Sequence, residues 1–197
     1  MTLHPTREAW LEEATRLLWP IFPYPKTEEP PDPILCPWPR IKVSVGWPKG
    51  GRGGHTRGQC WSATLSGDAT TGHIFVGPQL DDVAEVLAVL AHELVHALVG
   101  TEEKHKGKFV KVASYIGLLK PWKTATPSAG LSEKLAEVAR ELGDYPHVKL
   151  NPMEQKKQTA RQLLYRCQHG KRVRAAAQDP LNAVCQDCGT KFERVNP

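Results

Sequence analysis

The segment from Val83 to Leu98 constrains this chain more than any other. Its residues Val83, Val86, Leu87, Leu90, Leu94 and Leu98 recur at the three- and four-residue spacing of a helix with a buried face. Asp81 and Asp82 offer N-cap oxygens, Glu85 stands where a capping box with Asp82 needs it, and Gly100 is placed to end the helix. The segment is too short and too charged to cross a bilayer, because it also holds Glu85, His92, Glu93 and His96. An apolar helix that retains ionisable groups needs a chemical reason to do so.

His92-Glu93-Leu94-Val95-His96 supplies that reason. At 3.6 residues per turn, positions i and i+4 share a face, so both imidazoles can reach one zinc ion with Glu93 beside them. Burying two imidazoles and a carboxylate costs several kcal/mol unless they are paired or bound to metal. A catalytic zinc takes three protein ligands and keeps one position for water. Five residues compete for third ligand: His105, Glu102 and Glu103 just past the helix, and His55 and His73 before it. His105 is preferred, because it follows the turn at Gly100 and precedes the next helix, where the chain can fold back over the metal. The pattern implies metal-assisted hydrolysis with Glu93 as general base.

Around this helix the periodicities predict an α+β domain. Trp10, Leu11, Ala14, Leu17 and Leu18 mark an amphipathic helix between Pro5 and Trp19. Eight prolines between Pro20 and Pro39 exclude helix and central strand, and an ordered wrap is expected there. Alternation in Ile41–Trp47, Gln59–Thr64 and His73–Val76 predicts three short strands, expected to form a small antiparallel sheet packed with the HExxH helix. The glycines at 46, 50, 51, 53 and 54 mark a turn and not a phosphate loop, since no Gly-Lys-Ser/Thr follows. Further helices are expected over about Lys108–Leu118, with Phe109, Val112, Ala113 and Ile116 inward, and after Ser132 as far as Gly143.

The last quarter of the chain has a different character. Residues 147–197 carry 10 Lys/Arg against 4 Asp/Glu, a net +6, whereas residues 1–146 carry 16 against 17, a net −1. Two domains are therefore expected, 1–146 and 147–197. A basic module on a nearly neutral domain suggests a polyanionic partner, and Lys156, Lys157, Arg161, Lys171, Arg172 and Arg174 are the expected phosphate contacts. Cys185-x-x-Cys188-Gly189 has the form of a zinc knuckle, with Cys167 and His169 as its upstream partners. Five cysteines with this spacing fit metal binding in a reducing cytosol better than disulfides, and Cys36 and Cys60 are expected to be buried thiols. The N-terminus has no basic residues followed by an apolar run, so a cytoplasmic location is expected.

These motifs together resemble the SprT-like, Spartan-related family of zinc metallopeptidases, in its short phage-type form. The resemblance rests on Gly58-Gln59-Cys60-Trp61, Ile74-Phe75-Val76, the HELVH helix and His105-Lys106-Gly107-Lys108-Phe109, whose glycine falls one place later than the family's HGxxF form. It is specific over about residues 41–118, and Leu164-Tyr165-Arg166-Cys167 is similar to the family's entry into a C-terminal zinc ribbon. It implies a zincin-like fold, His92, His96 and His105 as zinc ligands, a second, structural zinc on Cys167, His169, Cys185 and Cys188, and cleavage of protein substrates near nucleic acid in a host cytoplasm. Two other functions remain open at this point: a non-catalytic zinc-containing DNA-binding protein, and a phage peptidoglycan peptidase. A structural site has no use for Glu93 between its ligands, which weighs against the first, and the lack of an export signal weighs against the second.

Overall fold

The protein is described by a computed structural model covering residues 4–23, 40–49, 56–151, 162–176 and 181–195. The wrap expected from the prolines lies, from residue 24 on, outside these residues, as do Cys36, His55, Lys156, Lys157 and Arg161. The chain divides into two compact units, Met1–Met153 and Glu154–Pro197. His147 and Leu150 bond to the carbonyl of Pro78, so the residues just past 146 pack with the first unit.

The first unit is α+β. Helix α1 (Arg7–Leu18) is capped by Thr6, whose hydroxyl accepts from the Ala9 N–H. Strands β1 (Arg40–Val45), β2 (Gly58–Trp61) and β3 (Thr71–Val76) form a sheet in the order β1-β3-β2. Helices α2 (Val83–Val99), α3 (Gly107–Ile116) and α4 (Ala129–Leu142) complete it. Asp82 caps α2 by accepting from the Glu85 N–H at 2.8 Å, while the Glu85 carboxylate turns to Arg57. Helix α4 starts one turn before the expected Ser132. Ser128, which directly follows Pro127, is the residue whose hydroxyl accepts from a first-turn N–H, that of Leu131.

The expected all-antiparallel sheet is corrected to a mixed one. β2 runs antiparallel to β3, but β1 runs parallel to it. Val45 and Gly58 both stand opposite Val76, so the chain leaves β1 and enters β2 at the same end of β3. It then runs down β2 and returns as β3 between the other two, which makes β1 and β3 point the same way. Apolar alternation identifies a half-buried strand and holds no information about its direction.

Helix α2 is the centre of the core. Every residue from Val86 to His96 is buried, because α2 touches β2, β3 and the other three helices. A helix apolar on all sides is stable only in such surroundings. Val43, Ile74 and Val76 supply the sheet side of the core, and Trp10, Leu11, Phe109, Leu131 and Leu142 the helical side. Trp10 also locks α1 to the end of α4 by donating to the Gly143 carbonyl at 3.2 Å and packing on Tyr145. Among the described residues no helix is long and apolar enough to cross a membrane.

The second unit holds a sheet in the order β5-β4-β6, made of β4 (Gln162–Arg166), β5 (Arg172–Ala176) and β6 (Glu193–Arg194), all antiparallel. Tyr165, Cys167 and Cys185 are its buried residues among those described.

Candidate metal centre

Helical spacing places His92 and His96 on one face of α2, with ring centroids 5.2 Å apart. Gly100 ends the helix with φ 95°, a short 3-10 turn over Thr101–Glu103 follows, and the chain doubles back to put His105 over that face. The Nε2 atom of His105 lies 3.2 Å from Nε2 of His92 and 3.2 Å from Nε2 of His96. Tetrahedral zinc with bonds of 2.0–2.1 Å holds neighbouring nitrogens about 3.3 Å apart, so the observed spacing fits that ion. Three nitrogens converging on one point cannot satisfy each other by hydrogen bonds alone, since every contact needs one N–H and one lone pair. The other ring nitrogens of His92 and His96, both Nδ1, are buried and take no hydrogen bond. Only the Nε2 atoms of these rings find partners, and those partners lie within the cluster.

Burial holds the rings neutral, as ligation requires. Desolvation, followed by the neighbouring imidazoles His96 and His105, pushes His92 from 6.5 down to about 3. Desolvation and then His105 lower His96 to about 4. His105 is also lowered, by desolvation and by the charge of Lys123. Phe109 forms a fully buried floor under the cluster, with its ring centroid 5.1, 4.4 and 5.0 Å from those of His92, His96 and His105.

Glu93 is only 6% exposed. Burial raises its carboxyl from 4.5 to about 8, and the backbone N–H of Cys60 on β2 opposes that shift by donating to it. Gly58 makes this approach feasible: a Cβ there would lie 2.8 Å from Glu93 Oε1 and 2.6 Å from Val89 Cγ1. Cys60 itself is a half-buried thiol pushed up to about 12 by burial and by the charge of Glu93. The histidines and Glu93 line a cleft of about 1000 Å³, together with Arg57, Lys104, Lys123 and the backbone of β2.

The structure thus brings together His92, His96 and His105 from the sequence reading. The other described contenders for third ligand are engaged or placed elsewhere. Glu103 accepts from the Lys108 N–H and pairs with Lys108, Glu102 is exposed, and His73 lies half-exposed on β3 away from the cluster.

In the second unit the sulfurs of Cys167, Cys185 and Cys188 lie within 4.8 Å of one another, as a shared metal requires. Two turns present them. Gly170 donates to the Cys167 carbonyl at 2.9 Å with φ 82°, and Gly189 to the Cys185 carbonyl at 2.8 Å with φ 66°. Hydrogen bonds from the Thr190 hydroxyl and backbone lower the Cys188 thiol to about 6, whereas burial raises Cys167. His169 does not join the cluster. It sits exposed just before Gly170, which closes the first turn as Gly189 closes the second, and the first turn is one residue shorter.

Sequence reading named Phe109 as an inward and motif residue and Gly58 and Cys60 as motif residues, without their contacts to the histidines and Glu93, and missed Lys104 and Lys123. It also missed Arg166, which stands opposite Arg172 on β5 and so shares a face with Arg172 and Arg174. Lys171, one of the expected phosphate contacts, is ion-paired with Asp187. Neither a family profile nor any curated protein or solved structure matches this chain.

Proposed function

We propose that this protein is a zinc-dependent metallopeptidase of the SprT-like type with a zincin-like catalytic unit. The observation that carries the reading is the combination of three converging imidazole nitrogens with a buried carboxylate that lies between two of them in sequence. A purely structural metal site gains nothing from a buried Glu93, whose desolvation has to be offset by some use.

A zinc ion on His92, His96 and His105 supplies a Lewis acid for the peptide carbonyl and acidifies water in the cleft. The charge of a zinc ion beside it would favour the ionised form of Glu93, which burial alone disfavours, and the carboxylate then accepts the proton of the attacking water and passes it to the amine nitrogen as the C–N bond breaks. The Cys60 N–H fixes the carboxylate against β2, and Phe109 fixes the imidazoles from below. β2 is the edge of its sheet and lines the cleft, so an extended substrate chain would meet a strand there.

The second unit serves this chemistry as a zinc-ribbon-like module on Cys167, Cys185 and Cys188 that meets nucleic acid. Arg166, Arg172 and Arg174 present like charges on one face, an arrangement that phosphates stabilise. The four described cysteines are free, in keeping with a cytoplasmic setting.

Metal analysis and casein cleavage on the full chain and on Glu93→Gln test the reading. Zinc retained by both, with cleavage only by the unsubstituted chain, is the expected result. Cleavage by Glu93→Gln at the unsubstituted rate would refute the role of the carboxylate.

A further inference from the structure

Two cations in the cleft take no part in the chemistry so far. Lys104 and Lys123 both line it, come from separate loops and are exposed. Neither has an ion-pair partner among the described residues. The third cation of the cleft, Arg57, is already neutralised by Glu85 at 2.7 Å. Among the described residues that line the cleft the remaining acid, Glu93, is buried against β2. The open surface that these residues present therefore carries uncompensated positive charge.

Each lysine is also held in place by its loop. Lys123 stands in a turn closed by the Leu119 N–H to the Thr126 carbonyl at 2.8 Å and the Thr124 N–H to the Pro121 carbonyl at 2.9 Å. Lys104 has φ 52° and ψ −123°, a region that favours glycine, directly before His105. Backbone strain of this kind persists where function uses the residue, and a glycine would aim His105 with less strain but without an ammonium group.

We propose that Lys104 and Lys123 make the cleft selective for peptides with an acidic side chain close to the bond that is cut. The inference rests on the hydrolytic reading above and names its substrate class. Positive charge focused by the walls of a cleft raises the local concentration of anionic segments and penalises basic ones. The cation chemistry acts on binding, so its effect falls on KM more than on kcat.

The test is digestion of a mixed peptide library by the full-length zinc-loaded protein, with cut sites read by mass spectrometry. Asp and Glu should be enriched within three residues of the cut. For a peptide so identified, Lys104→Gln with Lys123→Gln should lower kcat/KM about three- to tenfold, mainly through KM. The Lys104→Arg with Lys123→Arg chain should keep the enrichment. Lys111→Gln, on the exposed face of α3, should leave it unaltered. Independently of turnover, Glu93→Gln protein should bind the acidic peptide more tightly than its amide counterpart, by fluorescence anisotropy, and the difference should shrink with salt. No cutting of any peptide would overturn the hydrolytic reading itself. Cutting without acidic enrichment, or enrichment that survives both glutamine substitutions, would overturn this inference and leave hydrolysis standing. Competition by a short single-stranded oligonucleotide but not by acidic peptides would assign the lysines to nucleic acid instead.

Discussion

The two candidate metal-ligand clusters of this chain are built in opposite ways. The histidines stand on a helix whose every residue from Val86 to His96 is buried among three other helices and a sheet. The cysteines stand on two turns beside a small sheet, where Tyr165, Cys167 and Cys185 are the buried residues among those described. In the first case the core positions the candidate ligands, and on the proposed reading a metal would add chemistry. In the second the candidate ligands themselves supply much of the described core, and a metal would supply the cohesion. Small units with few buried side chains generally need such a staple.

Chelation should separate the two most strongly. Removal of metal is expected to abolish amide-exchange protection in β4 and β5 while α2 keeps its protection. Equal loss in both units would erase the contrast. The next largest effect concerns the floor of the histidine cluster: Phe109→Ala should cost about 3–5 kcal/mol of stability in urea unfolding and weaken zinc binding. A cost below 1 kcal/mol would mean that packing does not position the ligands.

Glycines sharpen the contrast further. At Gly58 a Cβ would meet Val89 and Glu93 at 2.6 and 2.8 Å, so Gly58→Ala should cost about 1–3 kcal/mol and displace Glu93, the proposed general base, with a fall in kcat. At Gly170 nothing lies within 4 Å of an added Cβ, and only its φ of 82° resists substitution. Gly170→Ala should then cost about 1–2 kcal/mol, confined to the second unit. Thermal unfolding of the two variants, followed together with peptide cleavage, distinguishes these outcomes.

The smallest effect is the pH dependence of the metal-free first unit. His92 and His96 titrate near 3 and 4 when folded against 6.5 unfolded, so the unfolded state binds more protons and stability falls as pH drops below about 6.5. Glu93 titrates near 8 against 4.5, so the folded state binds the extra proton and its contribution is lost as pH rises toward 8. The histidines, with His105 acting in the same direction, outweigh one carboxyl between these limits, which puts maximal stability near about pH 6.5 to 7. Glu93→Gln should flatten the decline from 6.5 to 8 and leave the acid limb. An unaltered alkaline limb would show that burial of Glu93 is not its cause.

Much of the first unit was legible because local signals agreed. The spacing of Val83–Leu98, the Asp82 cap and Gly100 all pointed to one helix, and HELVH could then be read in three dimensions. His105 was legible because only a chain that turns back at Gly100 can bring a nearby histidine over that face. The strand pairing was not, since alternation carries no direction. The start of α4 was misread because Ser128 and Ser132 are both cap residues, and only the Leu131 N–H decides between them. Contacts of Glu93 with Gly58 and with the Cys60 N–H were hidden for a deeper reason: a backbone donor has no side-chain signature. At His169 the chain position was suggestive, since Gly170 follows it as Gly189 follows Cys188, but the shorter first turn leaves the ring exposed and outside the sulfur cluster.

The histidine cluster can be isolated spectroscopically in a Cys185→Ser, Cys188→Ser chain, where the second site can no longer compete for metal. Zinc-edge X-ray absorption on that chain should show one zinc with three imidazole nitrogens at about 2.0–2.1 Å and one further light-atom ligand. A sulfur neighbour at about 2.3 Å, fewer than three imidazoles, or no bound zinc would contradict the account.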